Sequence, residues 1–272
     1  MKIDFKNNKI IEALDNAIFP RNITCLICGH DIFDDNPYLM CENCQKKGLI
    51  VNGRVCKKCG ASLFSNSSYC YRCQKENFYF DRAISVFYYE AEIIRNIKQF
   101  KFEGFSALKK SFAKSLAYCY IVNNLTADYI LYVPLYISKE KKRGYNQSKL
   151  LAHELAKLIN LPVLDDVLVK IVNNESQVGK TLKERQENVK NVYSVKDKEK
   201  IKGKRILIID DVLSTGSTLN ACAKVLKSCK CESVIALTYA QPRLKIDKYF
   251  EKCQLKGLKT FGKISKVLYT KF

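Results

Sequence analysis

At 272 residues the chain is long enough to bury a full core and still carry a small appendage. Its 47 Lys and Arg against 27 Asp and Glu leave a net charge of +20, which favours a polyanionic partner, although a Lys-, Asn- and Ile-rich chain without Trp also spreads charge over solvated faces. The N-terminus lacks the pattern of a signal peptide and the longest apolar stretch, 129–137, is shorter than the about 20 residues that span a bilayer, so the expectation is a cytoplasmic protein.

In such a compartment thirteen cysteines speak for bound metal rather than disulfides. Residues 1–22 begin the chain with Ile10, Ile11, Leu14, Ala17 and Ile18 at helical spacing, a short amphipathic helix closed by Pro20. Over 23–76 follow four C-x2-C knuckles, Cys25/Cys28, Cys41/Cys44, Cys56/Cys59 and Cys70/Cys73, separated by 12, 11 and 10 residues. Each knuckle points two thiolates at one ion and two knuckles complete a tetrahedral site, so eight cysteines predict two zincs. Four-cysteine sites leave no open position, which makes the zinc structural, a staple for a segment too poor in apolar residues to build its own core. Pairing in sequence order gives two ribbons, and a cross-braced arrangement uses the same ligands. The segment 25–73 carries six Lys or Arg against four acids, a mild excess that leaves nucleic-acid contact by the ribbons open.

A strand over 80–90 is predicted to lead into a helix with Ile94, Ile97 and Phe100 on one face and Lys98 and Lys101 on the other, the latter two candidates for pyrophosphate or DNA. A second helix covers ALKKSFAKSLAYCYIV. The strand YILYVPL, 129–135, is predicted as the first of a parallel core. It opens into a loop, ISKEKKRGYNQ, whose Lys139, Lys141, Lys142, Arg143 and Gly144 suit a diphosphate, with Lys141 and Lys142 also candidates for nucleic acid. A helix with Leu150, Leu151, Leu155 and Leu158 follows, in which His153 reads as a surface or packing residue. A strand near 167–172 precedes a polar segment whose Lys180, Lys183 and Arg185 suit closure over an anion, or a plain linker.

The most informative stretch is ILIIDDVLSTGSTL, 206–219. Four branched apolar residues without alternation read as a strand buried on both faces; Asp210 and Asp211 end it; Ser214, Thr215, Gly216, Ser217 and Thr218 form a turn; Leu219, Cys222, Ala223 and Leu226 continue at helical spacing. A helix N-terminus accepts an anion, Gly216 permits positive φ and the hydroxyls add donors. No lysine follows to reach a second phosphate as in a Walker loop, so the anion is a single phosphate. The two carboxylates would repel that phosphate and instead suit a vicinal diol, with a divalent metal sharing the work. This stretch resembles the PRPP-binding motif of type I phosphoribosyltransferases, filling every position of the pattern. SVIALTYA, 233–240, is a further core strand. The remainder, 241–272, is a basic extension with nine Lys or Arg whose near-Walker sequence fails at Ile264.

In order, the double ribbon, IKQFKFEGF, the Arg-Gly-Tyr-Asn-Gln run, the Gln177, Arg185, Asn188 set and the 206–219 motif resemble the ComF family from about residue 23 to about 240. The resemblance implies an α/β fold, a type I phosphoribosyltransferase-like parallel sheet with flanking helices over 77–240, behind a small double zinc-ribbon domain. It implies that Asp210 and Asp211 hold a ribose diol, that Ser214 to Thr218 hold its 5-phosphate, and that Arg143, Gly144, Tyr145, Asn146 and Gln147, with the loop residues Gln177, Arg185 and Asn188, flank the pyrophosphate. It further implies PRPP with magnesium as ligand, a role in natural competence, and single-stranded DNA and competence-machinery proteins as partners. The +20 charge and the many tyrosines independently suit single-stranded DNA. The alternative is an active phosphoribosyltransferase that releases pyrophosphate from PRPP, for which neither a base-recognition signature nor an obvious general base is visible.

Overall fold

The computed structural model describes residues 23–32, 36–63, 66–102, 108–172 and 192–243. The predicted N-terminal helix, the segment with Gln177, Arg185 and Asn188, and the tail from 244 lie outside the described residues. In chain order the elements are β1 (Ile23–Thr24), β2 (Asp31–Ile32), α1 (Glu42–Gln45), α2 (Tyr71–Lys75), β3 (Arg82–Tyr88), α3 (Ala91–Phe102), α4 (Leu108–Val122), β4 (Tyr129–Tyr132), α5 (Ile137–Arg143), α6 (Gln147–Ile159), β5 (Leu168–Lys170), β6 (Tyr193–Val195), β7 (Arg205–Val212), α7 (Ser217–Ser228) and β8 (Ser233–Gln241).

The unbroken apolar run of β7 has a simple cause. Ile206 and Ile208 pack into one hydrophobic cluster and Leu207 and Ile209 into another, so a two-residue alternation serves two cores at once. The main sheet has the order β3-β8-β7-β4, and every neighbouring pair is parallel. One face is covered by α3, α4 and α6 through residues such as Ile93, Phe100, Phe112, Leu116, Leu151 and Leu155. The other is covered by α7, whose Leu219, Cys222, Ala223 and Leu226 are all buried. Cys119, Cys229 and Cys231 are buried as well, packed as small apolar residues.

Two local expectations change, and the strand expected near 167–172 is present and finds its partner. The predicted loop after β4 contains the helix α5, a run of good helix formers ended by Gly144 at φ 85°, whose N–H returns to the Glu140 carbonyl. The parallel core begins with β3 rather than β4, because β3 pairs in parallel with β8 at the sheet edge. The strand at 168–170 does not join the main sheet; it pairs antiparallel with β6.

The ribbons are stitched to the other edge of β3. Val51 N–H donates to the Val86 carbonyl (2.9 Å), Tyr88 N–H to the Leu49 carbonyl (2.7 Å) and Ala83 N–H to the Lys58 carbonyl (2.7 Å), which pairs an otherwise open strand edge. Gly60 sits at the tightest point, at φ +71°, where a Cβ would lie 2.8 Å from the Ala83 carbonyl oxygen. Ile27, Leu39, Met40 and Leu49 of the ribbon segment belong to the same hydrophobic cluster as Val86, Phe87 and Ile97. Among the described residues no helix is long and apolar enough to cross a membrane.

Candidate functional site

The eight knuckle cysteines form two tetrads, Cys25, Cys28, Cys41, Cys44 and Cys56, Cys59, Cys70, Cys73, with the four sulfurs of each within 4.8 Å of one another. This settles the pairing in sequence order. Cys28 and Cys41 sulfurs lie 3.7 Å apart and those of Cys59 and Cys70 3.6 Å apart. A disulfide requires about 2.05 Å, whereas a tetrahedron of thiolates at the Zn–S distance of about 2.3 Å separates its sulfurs by about 3.8 Å. Both tetrads therefore fit structural zinc, and the local fold explains why: Cys41 and Cys70 stand as N-caps of α1 and α2, so each helical turn delivers its second cysteine back toward the site. His30 is exposed and outside either tetrad.

The second centre lies at the carboxyl ends of the parallel strands, where open α/β sheets form a crevice. Asp210 and Asp211 do not end the strand as expected, since β7 runs on to Val212, which still pairs with Ala240; being adjacent on a strand, the two acids diverge. Asp210 accepts from the Ser148 hydroxyl (2.8 Å) and from the Asp211 N–H (2.9 Å). Burial, followed by the charge of Asp211, pushes the Asp210 carboxyl up to about 7. Asp211, 8% exposed, forms an ion pair with Lys101 at 2.7 Å. The turn that follows is open: Ser214, Thr215, Ser217 and Thr218 are exposed. Gly216, at φ 74°, is the N-cap of α7 and lies over Phe78, Phe80 and Leu213, where a Cβ would approach to 3.5 Å. Thr215 and Ser217 hydroxyls are 2.8 Å apart, so the hydroxyls line one rim of the turn.

The Arg-Gly-Tyr-Asn-Gln run positions this centre from behind. Asn146 caps α6 by accepting from the Ser148 and Lys149 N–H groups and donates to the Val133 carbonyl at the exit of β4. Tyr145 donates to the Phe100 carbonyl, Gln147 reaches the Lys101 carbonyl at 3.4 Å, and Arg143 donates to Gln147 at 2.7 Å. Gln147 and Asn146 are buried, and their amides are spent on holding the C-terminal end of α3 and the N-terminus of α6 against the acid pair. Lys98, Lys141 and Lys142 are exposed and away from these contacts, while Lys101 is brought to Asp211. His153 meets Asp165 at 3.1 Å on the surface.

Sequence reasoning passed over Ser148 and left Lys101 without a partner. The signal for Ser148 was its place two residues into a helix capped by Asn146, which aims its hydroxyl at whatever faces that N-terminus. Phe78 was also missed, since nothing local ties a linker residue to a glycine far downstream.

The chain matches the phosphoribosyl transferase domain family over residues 142–265 and the double zinc ribbon domain family over residues 14–74. It is similar to Competence protein F of Haemophilus influenzae, 28% identical over 78% of this chain and 94% of that protein. It is also similar to Competence protein ComFC of Bacillus subtilis, 25% identical over 79% of this chain and 94% of that protein. DNA utilization protein YhgH of Salmonella typhimurium is 27% identical over 63% of this chain and 77% of its own length.

Proposed function

Since the chain belongs to the ComF family, a double zinc ribbon joined to a phosphoribosyltransferase-type sheet and related to proteins of competence and DNA utilization, we propose that it binds PRPP or a related ribose 5-phosphate and handles single-stranded DNA during DNA uptake. The observation that carries the sugar-phosphate half is the acid pair at the end of β7 followed by an exposed hydroxyl turn with Gly216 capping α7. The turn's amides and hydroxyls suit the 5-phosphate, and Asp210 and Asp211 suit the 2- and 3-hydroxyls, which as donors would replace Ser148 and share Asp211 with Lys101. Lys101, with Arg143, stands on the side where a pyrophosphate would lie, and Gly144 to Gln147 keep that side in place; Gln177, Arg185 and Asn188 are the proposed loop contacts. The hard carboxylate oxygens of Asp210 and Asp211 fit magnesium, which bound with PRPP would neutralise pyrophosphate charge. The net charge of +20 and the relatives' names support the DNA half.

One observation favours the second reading, transfer of ribose 5-phosphate to an acceptor with release of pyrophosphate. Asp210 is raised to about 7, a value suited to proton transfer near neutrality. Calorimetry with Mg-PRPP, and anisotropy of labelled single-stranded DNA, test the two halves separately. The expected result is PRPP binding weakened at least tenfold in Asp211→Asn and DNA binding that falls with salt. Absence of heat with PRPP overturns the sugar-phosphate half, and salt-independent or absent DNA binding overturns the other. Pyrophosphate release above the Asp211→Asn control, with nucleobases and amines as acceptors, would establish transfer.

A further inference from the structure

Three of the large hydrophobic residues exposed among the described residues fall within one eleven-residue stretch of the second ribbon and its exit: Tyr69 (46% exposed), Tyr71 (45%) and Tyr79 (47%). Tyr71 and Tyr79, with the half-buried Phe78 beside Tyr79 in the chain, each stand next to a cation. Lys75 Nζ stands 4.4 Å from the centre of the Tyr71 ring, Arg72 lies 5.0 Å from that of Phe78, and Lys224 of α7 lies 5.5 Å from that of Tyr79. The stretch is anchored at both ends, by Cys70 and Cys73 in the zinc tetrad and by the Tyr79 N–H donating to Asn220 of α7 at 2.6 Å. It also runs up to the phosphate turn, because a cavity of about 100 Å3 is lined by Cys59, Cys70, Arg72 and Phe78 on the ribbon side and by Thr215 and Gly216 on the other.

An apolar protein partner would gain nothing from a cation beside each ring. Single-stranded nucleic acid would use both, stacking bases on the exposed Tyr71 and Tyr79 rings while its phosphates meet Lys75, Lys224 and the Arg72 that also pairs with Glu76 at 2.8 Å. A duplex hides its base faces and would use only the cations. We propose that this face of the second ribbon, from Tyr71 with Lys75 through Phe78 with Arg72 to Tyr79 with Lys224, is the platform on which single-stranded DNA stacks. This deepens the DNA half of the proposed function and rests on it. The second zinc then has a task beyond holding the sheet edge: it keeps two aromatic rungs at a set distance from the phosphate turn.

The test uses the full chain with both zincs bound and a labelled oligothymidine of about twenty nucleotides, a length chosen to cover several stacking positions. Tyr71→Ala and Tyr79→Ala are each expected to weaken binding about tenfold, as the loss of one stacked base does, while Tyr79→Phe keeps wild-type affinity because the ring and not the hydroxyl stacks. Lys75→Ala and Lys224→Ala each reduce the salt slope by roughly one. In the wild-type protein, 5-iodouracil DNA crosslinks to the peptide containing 69–79, a readout that needs no variant to fold. Unchanged affinity in both alanine variants at two zincs per chain overturns the platform, as does crosslinking confined to other peptides, equal affinity for duplex, or tenfold tighter binding of RNA of the same sequence. If the wild-type chain binds no single-stranded DNA, the DNA half of the proposed function fails as well; if it binds and only these variants are silent, the platform alone fails.

Discussion

The parallel sheet and the zinc ribbons hold their shapes by different means. In the sheet, β7 and β8 are buried on both faces and each apolar side chain adds its increment, so the structure rests on many small terms. In the ribbons the strands are two residues long and the helices four and five, too short to be stable alone, and two tetrads of thiolates replace the missing core. The ribbon is nevertheless no detached bead. It closes the edge of β3 and lends Ile27, Met40 and Leu49 to the sheet's own cluster. A metal-held module can thus be part of another module's core, and damage to one should reach the other.

The contrast predicts an order of effects. Cys70→Ser should do most, removing one ligand of the second tetrad: zinc falls from two to one per chain by elemental analysis, and the melting temperature drops by roughly ten degrees or more, given that structural zinc is worth about 10–16 kcal/mol in finger peptides. Two retained zincs would show that Cys70 is not a required ligand, and one zinc with unchanged melting that the ribbon stands without its metal. Gly60→Ala attacks the seam instead. Its positive φ and a Cβ 2.8 Å from a backbone oxygen should cost about 1–3 kcal/mol, read by denaturant unfolding, with both zincs retained; a neutral outcome would mean that the ribbon and sheet are not rigidly joined.

Within the sheet, Asp210→Asn should change the pH dependence. An unfolded Asp titrates near 3.9 and the folded one is raised to about 7, so the folded state keeps a proton that the unfolded state loses, and wild-type stability falls as pH rises through that window. The variant lacks this loss, so its stability relative to wild type should improve by a few kcal/mol, to order of magnitude, between pH 4 and pH 8; a constant difference in melting temperature across that range would contradict the assignment. Tyr239→Phe should do least. The Tyr239 hydroxyl is buried with no hydrogen-bond partner among the described residues, so its removal is expected to be neutral or stabilising by up to about 1 kcal/mol in thermal unfolding.

Legibility followed sequence distance. β7, its acids, the hydroxyl turn and the buried stripe of α7 lie within one continuous stretch of chain, and strand, turn and helix each leave a local pattern there. Helix α5 was hidden because its seven residues are too few to display an apolar period and its cations drew a loop reading. The acid pair's partners, Ser148 and Lys101, sit 62 and 110 positions away, beyond any local pattern. The same holds for Phe78 beneath Gly216 and for Lys224 of α7 beside Tyr79 at the ribbon exit.

From the order of residues alone came eight cysteines suited to two zincs, a strand covered on both faces and a glycine-bearing hydroxyl turn opening a helix after it, because cysteine spacing, apolar periodicity and turn chemistry act between neighbours. Which knuckles share an ion, which lysine meets Asp211, and that the ribbon completes the edge of the sheet were decided only when the chain closed on itself. Those contacts join segments far apart in sequence, and their energy depends on where the packing of the whole core places them.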